Sequence, residues 1–223
     1  MEDFKDKLVK KPWGEEYLVY ENEHIALWHL KIKEGQETSF HCHPSKKTGL
    51  IVIAGAAKVS FLSDDFKLFP GEKIMIRQGV FHKTKAMVGD IEVLEIETPK
   101  NKLDLVRLED KYGRAGTGYE TDYEIKSPEI AFPVYTGYKF RIGKCTASIQ
   151  IIPTINKDYI KLSDVFFPEE NRTYIILKGE IASIQNNVVA GPGDVLYYKS
   201  LALMLSKFQI KEDIMVLTLE HKI

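Results

Sequence analysis

Short apolar segments separated by glycine-containing turns recur along this chain, and no stretch longer than about ten residues keeps a helical apolar period. The segments are rich in β-branched and aromatic residues, as in residues 25–32, 49–54 and 91–97 of the first half and residues 147–152 and 214–219 of the second. Many short, evenly spaced strands are typical of a jelly roll or a barrel. The sequence therefore predicts an all-β protein.

A weak internal repeat divides the chain into two similar β units. Residues 51–55 end an apolar strand at a turn glycine, and residues 69–76 start another strand at a Pro-Gly turn. Residues 175–179 and 191–198 repeat this order. We therefore expect two copies of one barrel unit.

A charged segment, residues 99–124, connects the two copies, and its apolar side chains indicate a structured connection. The sequence predicts a metal-binding barrel with this connection over residues 1–120. It predicts a second, degenerate barrel over residues 121–223.

Three histidines of the first copy have the spacing of a metal site. His41 and His43 alternate along a probable strand, so both rings face the same way. His82 follows a later strand and a Gly79 turn and can return to the same interior. Imidazoles bind Zn, Mn, Fe, Co or Ni, and the sequence does not choose among these divalent ions. The second copy has only His221, so we expect it to lack the metal and to have a structural role in packing or dimer formation.

Bulk composition excludes several classes of protein. The 223 residues carry a net charge of −1 without a basic run, so nucleic acid is not an expected partner. No apolar run approaches the ~18 residues that span a bilayer, and the N-terminus has no signal core. Two widely spaced cysteines do not form a disulfide framework. We expect a cytoplasmic protein that is not bound to a membrane and that could form a homodimer.

The spacing of these residues resembles the two motifs of the cupin superfamily. Gly35 precedes residues 41–43 by the five-residue gap of the first motif, and residues 71–82 follow the second. Arg77 and Ala86 stand where proline and asparagine are usual. The resemblance implies two tandem cupin-type barrels, also called double-stranded β-helices, of which the second is degenerate.

Residues 11–114 more closely resemble the cupin domain of type II mannose-6-phosphate isomerases. The resemblance rests on Lys11-Pro-Trp-Gly14 and on residues 104–114, Asp-Leu-Val-Arg-Leu-Glu-Asp-Lys-Tyr-Gly-Arg. It implies a metal-binding protein that acts on a sugar or sugar phosphate. Family members carry a glutamate ligand five residues after the second histidine, where this chain has Thr48.

Aldose–ketose isomerisation needs a base and an electrophile that stabilises the developing oxyanion. A metal held by the three histidines would supply the electrophile. The candidate catalytic residues are Glu95, Glu97 and Lys46, and the two glutamates alternate and so share one strand face. The candidate cations for a substrate phosphate are Lys46, Lys47, Arg107 and Arg114, although the arginines could instead pair with nearby acids.

Three functions follow from these residues. The first is a metal-dependent isomerase or epimerase of a sugar phosphate. The second is an oxygen-using enzyme with a three-histidine metal site, which Thr48 favours because such sites also lack the carboxylate. The third is a non-catalytic binder of a carbohydrate or metabolite. The sugar-phosphate interpretation is preferred, with catalysis left open.

Overall fold

The computed structural model describes residues 4–5, 7–119, 123–125, 137, 139–154 and 168–221. The chain forms two compact units, Met1–Phe132 and Pro133–Ile223. Strands dominate both units, and the described residues contain one α-helix. The predicted all-β class is confirmed. No helix in the described residues is long and apolar enough to cross a membrane.

Ten strands of the first unit lie in the described residues: β1 (Lys7–Lys11), β2 (Gly14–Glu21), β3 (Ala26–Ile32), β4 (Phe40–Cys42), β5 (Lys47–Ser60), β6 (Asp65–Leu68), β7 (Lys73–Ile76), β8 (Lys83–Thr98), β9 (Val106–Glu109) and β10 (Tyr123–Ile125). The large antiparallel sheet has the order β10-β1-β2-β3-β8-β5-β6, and β7 also pairs with β5. β4 pairs with β9 in a second, two-stranded sheet.

The inner face of the large sheet changes from apolar to polar along β5 and β8. Leu50 and Val52 of β5 and Val93 of β8 belong to one buried apolar cluster. Glu95 lies opposite Leu50, and Glu97 lies opposite Thr48. Because residues two apart share a face, both glutamates extend the face on which Val93 lies. The interior therefore has a polar end, and the candidate site is located there.

The second unit has eight strands and the helix in the described residues: β11 (Lys139–Ile142), β12 (Cys145–Ile152), β13 (Arg172–Lys178), β14 (Ile181–Ala182), β15 (Val188–Ala190), β16 (Val195–Tyr197), α1 (Tyr198–Lys207), β17 (Gln209–Ile210) and β18 (Ile214–Glu220). One sheet has the order β11-β12-β18-β13-β16 and the other β15-β14-β17. A closed, degenerate barrel stays a prediction for this unit.

The internal repeat extends to individual hydrogen bonds. The Val52 amide donates to the Glu72 carbonyl at 3.0 Å, and the Gly71 amide donates back to the Val52 carbonyl at 2.9 Å. In the second unit the Ile176 amide donates to Asp194 at 3.0 Å, and Gly193 donates back to Ile176 at 2.8 Å. The predicted repeat therefore corresponds to one local structure formed twice.

The glycines that end the repeated strands are required by close backbone approach. Gly55 has φ +77°, and a Cβ there would lie 2.7 Å from the Asp90 carbonyl oxygen. Gly179 has φ +83°, and a Cβ there would lie 2.9 Å from the carbonyl oxygen of Asp213. Both positions combine a left-handed conformation with insufficient space for a side chain.

We expect Gly55→Ala to destabilise the protein more than Gly35→Ala. Both glycines have positive φ, but a Cβ on Gly35 would meet nothing within 4 Å. The Gly35 variant should lose about 1 kcal/mol of unfolding free energy, and the Gly55 variant about 1–3 kcal/mol more through the backbone clash. Urea unfolding measures both. Equal losses would contradict the close approach at Gly55.

Candidate metal centre

The backbone brings the three predicted histidines together. The amides of His41 and His82 donate to each other's carbonyls at 3.0 and 2.8 Å, as in a hydrogen-bonded antiparallel pair. Directly paired residues project to the same face, and His43 shares the face of His41 because it lies two residues further on. The centroids of the three rings are 4.6–5.5 Å apart.

Hydrogen bonds to backbone carbonyls orient each ring. His41 Nδ1 lies 2.7 Å from the Ser39 carbonyl oxygen, and His82 Nδ1 lies 3.0 Å from that of Val80. His43 Nδ1 lies 2.6 Å from the carbonyl oxygen of Asp104. A carbonyl only accepts, so Nδ1 carries the proton and Nε2 keeps its lone pair in the neutral ring.

The donor set fits a divalent metal ion. One ligand atom from each of the three rings lies within 4.8 Å of those of the other two. His43 Nε2 is buried and has no hydrogen-bond partner in the part of the chain that is described. A buried lone pair without a partner is costly unless an ion or a ligand satisfies it.

The surroundings keep these rings neutral. Burial lowers the pKa of His43 to about 2 and that of His82 to about 4. Burial also lowers the pKa of His41 well below its ordinary value, and the two other rings lower it further. Neutral imidazole is the form that binds a metal.

A cavity that is open to solvent lies beside His41 and His43 and is lined by side chains from both ends of the first unit's sequence. Its wall includes His41, His43, Glu95, Glu97 and Lys46. The two glutamates that the sequence left without a defined orientation therefore face the cavity.

Ion pairs link the buried charges of the cavity wall. Lys102 lies 3.2 Å from Glu16 and 3.3 Å from Glu97, and it joins two carboxylates that are far apart in sequence. Lys11 lies 3.5 Å from Glu16, and Lys46 lies 2.6 Å from Glu97. Removing one member of such a buried network strands the charge of its partner at a cost of about 3–5 kcal/mol.

These pairs determine the ionisation of Glu16 and Lys102. Burial alone would raise the pKa of Glu16, but the charges of Lys102 and Lys11 lower it to about 2. Burial alone would lower the pKa of Lys102, but the carboxylates around it raise the pKa above its ordinary value. The hydroxyl of Tyr119 also donates a hydrogen bond to Glu16. Glu16 and Lys102 are therefore both charged near neutral pH.

Glu95 differs from the other two glutamates of the cavity. Within the described residues, no ion pair or side-chain hydrogen bond engages its carboxyl group. Burial raises its pKa, and the charges of Glu97 and Glu16 add to this effect against the opposing cations. A carboxyl group of raised pKa beside the histidines is suited to proton transfer.

The predicted substrate-binding cations have different positions. Lys46 is 1% exposed, and its Nζ donates to Glu97 and to the Asn101 carbonyl, so it is not a solvated loop residue. Lys47 precedes the inward-facing Thr48 in β5, and alternation directs it to the opposite face of the sheet. It does not line the cavity.

Both arginines line the cavity but have structural partners. Arg107 donates to the carbonyls of Thr117 and Gly118 at 2.7 and 2.5 Å. Arg114 pairs with Asp110 at 2.6 Å. Arg114 thus has an acidic partner of the kind that the ion-pair alternative assigned, and the contacts of Arg107 named here are to backbone carbonyls.

Sequence reasoning missed Glu16, Lys102 and Tyr119 as cavity residues. Lys102 lies in the charged connecting segment, where a lysine gives no local signal. Glu16 follows Lys11-Pro-Trp-Gly14 by two residues, and the alternation of β2 places it on the inner face opposite Leu30. In the sequence, this alternation is the signal that indicates an inward-facing Glu16.

Residues 2–110, or 109 of the 223 residues, match the family described as mannose-6-phosphate isomerase C-terminal. The alginate biosynthesis protein AlgA of Pseudomonas putida is 27% identical over 123 residues, which are 53% of this chain and 25% of that protein. The mannose-1-phosphate guanylyltransferase ManC of Salmonella typhimurium is 29% identical over 110 residues, 48% of this chain and 23% of that protein.

Among solved structures, KdgF from a Halomonas species matches with a TM-score of 0.41 and 20% identity, over 43% of this chain and 89% of that one. The chain spans about a quarter of the length of the curated relatives it matches. The fold and the histidine cluster define the first unit as a cupin-type domain. The match of residues 2–110 to the mannose-6-phosphate isomerase C-terminal family model confirms the resemblance predicted from residues 11–114.

Thr48 stands where the resemblance to type II mannose-6-phosphate isomerases implies a glutamate ligand. It is 1% exposed and lies opposite Glu97 on the inner face of the sheet. Its hydroxyl has no hydrogen-bond partner among the residues described. The chain therefore replaces an anionic donor by a neutral one that nothing in the described structure engages.

We expect the double variant His41→Ala/His43→Ala to lose metal retention and to keep its fold, because the core strands need neither ring. Elemental analysis after dialysis and circular dichroism measure the two properties. His24→Ala is the control, since that exposed ring lies 3.2 Å from Glu23 and does not belong to the histidine cluster. Stoichiometric metal in the double variant would refute the site.

Thr48→Glu should tighten divalent metal binding by about tenfold or more, because it returns an anionic donor to the inner face. Thr48→Gln is the matched control, with similar size and no charge. Competition with a chromophoric chelator gives both dissociation constants. Equal constants for the two variants would show that position 48 does not reach the ion.

Proposed function

We propose that the first unit binds a divalent metal ion through His41, His43 and His82 and acts on a sugar phosphate in the adjoining cavity, by aldose–ketose isomerisation or epimerisation. The observation that carries this proposal is the position of the Glu95 carboxyl group, which has no ion pair within the described residues, on the same cavity wall as the oriented imidazoles of His41 and His43. Zn, Mn, Fe, Co or Ni would suit the imidazole donors.

The proposed chemistry divides between the metal and the protein. When bound, the metal supplies an electrophile for a developing oxyanion. Glu95 moves a proton between adjacent sugar carbons, which its raised pKa favours because transfer is most efficient when the pKa approaches the working pH. Lys46 holds Glu97 in its ion pair and so keeps the second carboxylate away from the same proton.

The charge of the cavity wall supports an anionic substrate. Its lining includes five basic side chains against three acidic ones, with the histidines neutral. The basic residues are Lys11, Lys46, Lys102, Arg107 and Arg114, and the acidic residues are Glu16, Glu95 and Glu97. This excess of positive charge suits a phosphate group.

Thr48 supports a second candidate, a non-catalytic sugar-binding protein. Loss of the carboxylate ligand would weaken retention of the ion and remove a possible proton carrier, and it would leave ligand binding by the cavity side chains intact. The guanylyltransferase activity in the relatives' names belongs to proteins of which this chain spans about a quarter. A cytoplasmic location and a homodimer stay predictions.

Glu95→Gln should lower the isomerisation of mannose 6-phosphate to its ketose by about 10²–10⁴-fold and leave the metal content unchanged. A coupled assay for fructose 6-phosphate with added divalent ions measures the rate. Glu109→Gln is the control, because Glu109 is exposed.

The pH profile adds an independent readout. Because the pKa of Glu95 is raised, its basic form is lost as pH falls through a value above 4.5, and the acidic limb should lie there. An active Glu95→Gln variant would contradict the assigned role. A metal-loaded wild-type protein that binds the sugar phosphate without turnover would favour the non-catalytic candidate.

A further inference from the structure

The second unit contains a polar cavity of its own, which is open to solvent. Ser148 and Gln150 of β12, Thr218 of β18 and Arg172 of β13 contribute to its wall. On the same sheet face, Val216 of β18 lies two residues before Thr218 and belongs to the buried apolar cluster of this unit. The face is therefore apolar at one end and polar at the other, as in the first unit.

Strand register places this cavity at the position that the metal cavity has in the first unit. Thr48 lies opposite Glu97 across β5 and β8, and Arg172 lies opposite Glu220 across β13 and β18. Thr48 and Arg172 each lie seven residues before the matched strand-ending glycine. By the same count, Thr218 takes the place of Glu95. The interior of the second unit is therefore polar at this end, and the described wall residues there include no histidine.

The wall of this cavity offers hydroxyl and amide groups. Thr218 is 2% exposed, and its hydroxyl donates to Gln150 Oε1 at 3.1 Å. This bond orients the amide of Gln150, whose NH2 group donates to no described residue. Thr146 and Ser148 add two further hydroxyls. Amides and hydroxyls that both donate and accept are suited to the hydroxyl groups of a sugar.

The charges around the cavity are balanced. Arg172 lies 2.6 Å from Glu169 and 3.6 Å from Glu220, so two carboxylates accompany its guanidinium group. Lys139 is the other cation of the wall, and it is exposed. The wall itself carries these two cations and the carboxylate of Glu220, and Glu169, which pairs with Arg172, brings the total to two groups of each sign, so the surroundings do not favour an anion.

We propose that this cavity is a second, metal-independent binding site for a neutral, hydroxyl-rich small molecule, a monosaccharide being the class it fits best. This second binding site is separate from the metal centre and goes beyond the function proposed for the first unit. The second unit thus has a ligand to bind in addition to its predicted structural role.

Amide NMR spectra of the full-length, metal-stripped protein test this site. The probes are the neutral hexoses glucose, mannose and galactose, titrated separately. At least one should shift the amides of β12 and β18 saturably. His41→Ala/His43→Ala should leave that binding unchanged, which separates its outcome from that of the metal site. Mannose 6-phosphate should bind this unit no more tightly than the neutral hexose.

Gln150→Leu should weaken the binding about tenfold, since it removes the oriented amide. Gln185→Leu, in an exposed turn, is the matched control. If Gln150→Leu loses its dispersed spectrum, Thr146→Val replaces it. The proposal is overturned if no hexose shifts these amides, if the shifts fall only in the first unit, or if the cavity variant binds like the wild type.

Discussion

Three hydrogen bonds between imidazole Nδ1 groups and backbone carbonyls determine what the first unit can bind. They fix the tautomer of each ring, so that the Nε2 lone pairs stay available in a setting that disfavours protonation. The acceptors come from three separate parts of the backbone, at Ser39, Val80 and Asp104. The site therefore depends on the folding of the loops as well as on the strands.

Asp104 connects the charged segment to the metal centre. Its carbonyl accepts from His43, and its carboxylate accepts from the amides of Ser45 and Lys46 at 2.9 and 3.0 Å. One residue thus holds both the second imidazole and the turn that follows it. Arg107 and Arg114 stabilise the same segment, which explains why two arginines of the cavity wall are engaged in structural contacts.

Local pattern predicted those features that depend on alternation. It placed His41 with His43 and Glu95 with Glu97, because period-two side chains share a face whatever the rest of the fold does. It could not predict that Lys102 joins Glu16 to Glu97, since that contact links residues that are distant in sequence and leaves no periodic signal. The burial of Lys46 was missed for the same reason, because its partner Glu97 lies 51 residues away.

The two units show how one strand framework can serve different chemistry. Matched glycines and matched turn hydrogen bonds preserve the framework, and the residues at the polar end of the interior differ. In the first unit that end carries carboxylates and histidines, and in the second it carries hydroxyls and an amide. The strand framework therefore stays the same in the two units while the residues at the polar end differ.

The most direct test of the central claim is an anomalous diffraction map from crystals of the full chain soaked in a divalent metal ion. The account predicts one strong peak at about 2.0–2.3 Å from Nε2 of His41, His43 and His82. A peak bound through Nδ1, a peak elsewhere in the chain, or a ring turned out of the cavity would contradict it.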